Sequence, residues 1–294
     1  MPEKIPTIDN LEKLPTGFIE RYSNDKVEIV TIGQPLNARL LYSTPAKAEE
    51  LYPGTSELRK KLLETLSKEA AAHDITTLTV LRVDRFNASI TTTDELKNIE
   101  PEDIGNGIIL LRSDDDSFFH DGVALEPGEG AVIVTGDCHT LTLWSDDTLS
   151  PTVIAAHAGR NSLHTISHEH TDNLESVVGS AVEKLGVYKL NIHARITAGI
   201  GPDNFKHSPN NQTYGEHNKR LLEYFSKYGG ANTSDPDGKI DVAKTIKGQL
   251  AAMDIPIDNI SWDGLDTSTD NRLWSNKMDD KPRNAILVLN KTKY

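Results

Sequence analysis

The feature that most constrains the fold is the stretch "GAVIVTGDCHTLTLWSDDTLSPTVIAAHAG", residues 130–159: three short apolar runs broken by Gly, Asp and Pro, with no helical segment between them. Runs of this length, rich in Val, Ile, Leu and Thr and bounded by turn formers, read as strands. "KVEIVTI", "TTLTVLRV", "GNGIILLRS", "LNIHARITAGIG" and "NAILVLNK" add further strands, as does "NARLLYST" after the turn signal "GQPLN". Helices fall between them without strict alternation. "GTSELRKKLLETLSKEAAAH" places Leu58, Leu62, Leu63 and Leu66 on one face behind a Thr55 or Ser56 cap. "DNLESVVGSAVEKLG" opens on an Asp172/Glu175 capping box and stops at Gly186, and "IDVAKTIKGQLAAMD" is a third helix. The pattern predicts an α/β fold of the α+β kind, a single domain of mixed β-sheets flanked by helices rather than a doubly wound parallel sheet. Residues 1–26 are polar and proline-punctuated and read as an N-terminal arm, with residues 27–294 forming one catalytic domain.

A chain of 294 residues buries enough surface to stay folded without disulfides or metal. The single cysteine, Cys138, cannot make an internal disulfide, so its use is chemical or steric and suits a reducing compartment. No signal-length apolar stretch opens the chain and no run of 18 apolar residues occurs, which predicts a soluble, cytoplasmic protein. With 44 acidic against 31 basic residues the net charge is −13, a field that repels nucleic acid and anionic membranes. An anionic substrate would need a local basic pocket.

Cys138 follows "AVIVTGD" and His157 follows "TVIAA", so each sits where an apolar strand runs out. If those strands neighbour each other, both side chains reach one cleft. Gly136 and Gly159 flank the pair and allow sharp bends and close approach. Three readings compete: a buried thiol packed beside a hydrogen-bonded histidine, a nucleophile with its base, or two corners of a zinc site that needs one more ligand.

The residues that follow resemble a known family. "TGDCHTLTLW" with "IAAHAG", "HDGVALEPGEG", "ITAGIGPDNF", "GKIDVAKTIKGQLAAMDIPIDNI" and "LWSNKMDDKPRNAILVLN" are similar, in order, to motifs of the laccase-domain family, also called the YfiH or polyphenol oxidase family, from about residue 38 to 291. The resemblance implies a metal site, zinc or by some accounts copper, held by Cys138 and His157, with Asp137 matching the acid before the cysteine. It also implies a purine nucleoside phosphorylase that can deaminate adenosine, with Arg160, Asn161, Lys277 and Arg283 at the substrate.

Departures from the family pattern leave alternatives open. Its first metal histidine is replaced in "LRVDRFNAS", where Asp84 is the nearest equivalent ligand, and His-Ala-Gly-Trp-Arg-Gly has become His157-Ala158-Gly159-Arg160-Asn161-Ser162. A metal-free amidase or deamidase with Cys138 as nucleophile, His157 as base and Asp137 or Asp84 as orienter is the second reading, and a degenerate ligand- or protein-binding member the third. The expected partners are a purine nucleoside and phosphate, with no nucleic acid and no membrane, and the sequence leaves room for a homodimer. His164, His168 and His170 read as a polar surface insertion, and His120 as a satisfied turn histidine. His139 points away from Cys138, His207 lies on a loop or lid after Gly201-Pro202, and Tyr214, Trp262 and Trp274 belong to core or rim.

Overall fold

The computed structural model describes residues 17–51, 53–81, 88–96, 101–112, 120–147, 151–164 and 176–293. With strands numbered along the chain, one sheet runs in the order β1 (Phe18–Ser23), β2 (Val27–Ile32), β13 (Asn284–Asn290), β8 (Glu129–Thr135), β3 (Thr77–Val80), β6 (Ile109–Arg112), β5 (Glu102–Asp103). The second runs β12 (Ile260–Trp262), β11 (Ile192–Thr197), β9 (His139–Ser145), β10 (Val153–Ala158), β7 (Gly122–Leu125), β4 (Ile90–Thr92). Both sheets are mixed. β3 runs parallel to β6 and β8, β4 to β7 and β11 to β12, while the other neighbours are antiparallel.

The apolar runs are continuous because these strands are covered on both faces. Along β8, Ala131 and Ile133 enter one buried cluster, and Val132 and Val134 enter another. β10 divides in the same way, Val153 and Ala155 against Ile154 and Ala156. The shared cluster, with Ile29, Ile286 and Val288 from the first sheet and Val123, Leu125 and Trp144 from the second, lies between the sheets. Helix α1 (Ser56–Ala71) covers the outer face of the first sheet through Leu62, Leu63, Leu66 and Ala70. Helices α2 (Val177–Leu185), α3 (Gly215–Lys227) and α4 (Val242–Ala252) contribute to the core on the outer face of the second. The order is helix, sheet, sheet, helices, the mixed-sheet α/β domain expected. No helix among the described residues is long and apolar enough to cross a membrane.

Three local expectations change, and one helix is added. "NARLLYST" is not a strand: Ala38–Tyr42 forms a 3-10 helix, with Asn37 Oδ1 accepting from Arg39 N at 3.1 Å and Leu40 and Leu41 fully buried. A short apolar run fits either form, and periodicity alone does not separate them. The arm assigned to residues 1–26 contains β1, which pairs with β2. Its charged residues are matched in the fold: Arg195 Nη2 on β11 donates to Glu20 Oε1 at 2.5 Å, and Arg21 pairs with Glu28. Helix α2 is capped by Ser176, whose Oγ accepts from Gly179 N, and stops at Gly186 in the left-handed region as expected; Asp172 and Glu175 lie outside the described residues. Helix α3 lies in a stretch to which the sequence pattern assigns no element.

Candidate functional site

β8 ends at Thr135 in the first sheet and β9 begins at His139 in the second, so Gly136, Asp137 and Cys138 form the crossover between sheets. β10 runs antiparallel to β9, with Ala158 opposite His139 and His157 opposite Thr140. Cys138 and His157 therefore emerge at the same end of the second sheet. The condition that β8 and β10 neighbour each other is not met, since they lie in different sheets; β9 makes the juxtaposition. Gly159 fills the corner between the two side chains. A Cβ there would lie 2.9 Å from His157 Cε1, 3.0 Å from Cys138 Sγ and 3.4 Å from His157 Nε2, so only glycine leaves both in place. His139 takes the opposite direction, buried against Gly199, as side-chain alternation requires.

Behind His157 stands Asp121, immediately before β7. β7 pairs with β10 so that Gly122 faces Ala156, and His157 N donates to Asp121 O at 2.6 Å. The Asp121 side chain is wholly buried: Oδ1 lies 3.6 Å from His157 Nδ1, and Oδ2 accepts from Ala88 N at 2.8 Å. Burial alone would drive the His157 pKa down. The negative charge of Cys138 and the Asp121 carboxylate outweigh it and hold the imidazole up to about 10. Asp121, and not Asp137, is the carboxylate seen beside His157 Nδ1 among the described residues, and Asp84 lies outside them.

Asp137 is otherwise engaged. Its Oδ1 accepts from Thr267 Oγ1 at 2.8 Å and Ser275 Oγ at 2.7 Å, and its Oδ2 accepts from Lys277 N at 2.7 Å. It ties the C-terminal loops to the Cys138 crossover. Lys277 thus serves through its backbone, with an exposed side chain. Arg283 lies over Gly136, where a Cβ would meet its Cδ and Nε at 3.1 Å; its Nη1 donates to the carbonyls of Asp280 and Pro282 and its Nη2 to Asn276 Oδ1. Arg160 opens a one-turn helix (Arg160–Leu163), and its Nε donates to Asn161 Oδ1 at 3.0 Å. Cys138 and His157 face a cavity of about 430 Å³ walled by Asp137, Arg160, Asn161 and Arg283 together with Arg39, Tyr42 and Phe205. Burial lowers the pKa of both Arg160 and Arg283 below the usual guanidinium range, without bringing either near neutrality. A chain of net charge −13 has gathered Arg39, Arg160 and Arg283 in one hollow.

The sequence profile of the multi-copper polyphenol oxidoreductase laccases matches residues 105–289, a span that holds Asp121, Cys138, His157, Arg160 and Arg283. The chain belongs to this laccase family. No curated protein matches it in sequence. Solved structures share the laccase-domain fold at low identity. The hypothetical protein YfiH of Bacillus licheniformis is 16% identical, with 89% of this chain and 92% of that one covered and a TM-score of 0.58. YlmD of Geobacillus stearothermophilus is 16% identical, with 94% and 99% covered and a TM-score of 0.59. The Neisseria meningitidis protein NMB0706 is 12% identical, with 94% and 99% covered and a TM-score of 0.58.

The metal implied for a laccase domain is tested by the donors present. A cysteine sulfur and an imidazole that converge beside a glycine suit two corners of a zinc or copper site, and a carboxylate on the far ring nitrogen is the usual support of a ligating histidine. No third donor joins them among the described residues, and Asp84 lies outside those residues. Glu28, Glu69 and His73 gather three ligand-type groups elsewhere, where Arg21 pairs with both carboxylates and Lys291 with Glu28. That cluster is already neutralised as an ion-pair network.

Among the described residues, His120 and His164 have partners of their own. His120 Nδ1 bonds Ser89 Oγ at 2.8 Å, a satisfied turn histidine as expected, and the His164 ring packs edge-on against Tyr224 at 4.1 Å. His168 and His170 lie outside the described residues. Trp274 Nε1 donates to Leu36 O at 2.8 Å, and Trp262 meets His139 edge-on.

Proposed function

We propose that this laccase-family chain is an enzyme that cleaves purine nucleosides with phosphate, working in the cavity that Cys138 and His157 face. The observation that carries this reading is the local reversal of charge: Arg39, Arg160 and Arg283 wall that cavity in an otherwise acidic molecule. Guanidinium groups suit phosphate, and partial burial strengthens the attraction. At about 430 Å³ the hollow is of the size that takes one small molecule, and Tyr42 and Phe205 offer faces to a flat base. In the reaction a phosphate oxygen forms a bond to the ribose C1′ as the bond from C1′ to the purine nitrogen breaks, and the purine leaves with a proton. A zinc or copper ion held by Cys138 and His157 would polarise bound oxygen. The chain's own arginines hold the phosphate, and Asp121 keeps His157 turned toward Cys138.

The test is chromatography of adenosine and inosine incubated with phosphate and the protein, both with added zinc or copper and after chelation. Free purine and ribose 1-phosphate, formed by the parent chain and reduced at least about 10-fold in Arg160→Ala, are expected. Unchanged nucleosides under every condition overturn the reading.

A second reading has its own observation. Asp121, His157 and Cys138 stand in the order acid, base, nucleophile, the arrangement of a thiol hydrolase acting on amides. It predicts rapid iodoacetamide labelling of Cys138 that chelators do not change. An unreactive thiol removes it.

A further inference from the structure

Arg160 stands where the family motif has shifted, and the structure rebuilds its support from a distant loop. Nε is held by Asn161 Oδ1 at 3.0 Å, and Nη1 lies 3.4 Å from His207 Nδ1. His207 is well fixed for that task. Its backbone N donates to Gly238 O at 2.8 Å, and Gly238 is packed so closely that a Cβ would lie 2.1 Å from His207 O. Ser208 Oγ donates to Pro236 O at 3.1 Å, Asn218 Nδ2 donates to Ser208 O at 2.9 Å, and Ile240 N donates to Phe205 O at 3.0 Å. The His207 ring meets Phe205 edge-on with centroids 4.7 Å apart, and Phe205 lines the cavity. The segment that read as a loop or lid is a pinned wall.

We infer that His207 is a positioning residue: its neutral imidazole accepts from Arg160 through Nδ1 and so fixes the guanidinium where it meets the anion in the cavity. Burial, followed by the charges of Arg160, Lys277 and His217, lowers the His207 pKa to about 4, which keeps the ring an acceptor at neutral pH. A neutral ring that accepts at Nδ1 carries its proton on Nε2. That Nε2 is buried without a hydrogen-bond partner among the described residues. An unpaired buried donor is costly, so the ring is held there against a local penalty.

The inference rests on the reading that the cavity binds phosphate, and the test separates the two. Inorganic phosphate is titrated calorimetrically into the full chain and into Arg160→Ala, His207→Ala, His207→Asn and the double variant Arg160→Ala/His207→Ala. Arg160→Ala is expected to weaken binding about 10-fold or more and His207→Ala about 3- to 10-fold, with the double variant no weaker than Arg160→Ala alone. His207→Asn, whose Oδ1 replaces the Nδ1 acceptor, recovers most of the loss. Additive losses, or a His207→Ala that binds like the parent, overturn the positioning role. If the parent binds no phosphate, the functional reading fails, and the ¹⁵N signals of the His207 ring decide the rest. A neutral Nε2–H tautomer at pH 6 whose Nδ1 signal moves in Arg160→Ala supports the contact, and a signal that does not move overturns it.

Discussion

His157 Nδ1 faces Asp121, and this carboxylate, together with Cys138, raises the pKa of the buried imidazole. Asp121→Asn keeps the shape and removes the charge, so the midpoint of Cys138 alkylation by iodoacetamide is expected to move up by about one pH unit, with labelling at pH 7 slowed about 10-fold. An unshifted profile would mean that Asp121 has no hold on the pair. Asp121→Ala leaves the imidazole with one buried counter-charge fewer and should lower stability by roughly 3 kcal/mol in urea unfolding. Gly159→Ala works by volume instead. Its methyl would sit against Cε1 and Sγ at about 3 Å, forcing sulfur and ring apart, so alkylation should change while the melting temperature moves by only a few degrees. Equal losses in both would make Gly159 a residue of the fold and not of the site.

At the scale of elements, β1 and β11 belong to different sheets and are joined by Glu20 and Arg195, with Tyr22 covering the guanidinium at 4.5 Å. Burial, and after it the nearby charge of Asp263, raises the Glu20 pKa to about 7. A raised folded-state value makes the contribution of Glu20 complete below the ordinary value of 4.5 and lost as pH climbs through 7. The protein should therefore be more stable at pH 5.5 than at pH 8, by an amount of order 2 kcal/mol from this group, and Glu20→Gln should flatten that slope in thermal melts. The same strand marks a limit of sequence reading. β2, β3, β6, β8, β9, β10, β11 and β13 were legible because a strand buried on both faces is a continuous apolar run. β1 was not, since its Glu20 and Arg21 are matched by Arg195 and Glu69, residues far along the chain, and by Glu28 on the next strand. α3 escaped notice because its buried face rests on few large apolar side chains, Leu221, Leu222 and Phe225. Cys138 and His157 were legible from strand ends. Asp121 depended on the β7–β10 register, and the His207 contact on a loop fold that no local pattern encodes.

Over the whole molecule, two fields compete for an incoming anion. The surface charge of −13 repels at long range and is screened by salt, whereas the half-buried arginines attract at short range and are screened less. The KM for phosphate should thus stay level or fall as inert salt rises from about 20 to 150 mM, near where the Debye length reaches 8 Å. A several-fold rise would place the binding charges on the open surface. The crossover of Gly136, Asp137 and Cys138 carries one more consequence. The sulfur sits on a three-residue hinge of chain that passes from the end of one sheet to the start of the other, so any slippage between the two slabs is felt there early. Thiol accessibility followed during gentle denaturation would then act as a built-in gauge of their docking, rising before the backbone ladders of either slab begin to open.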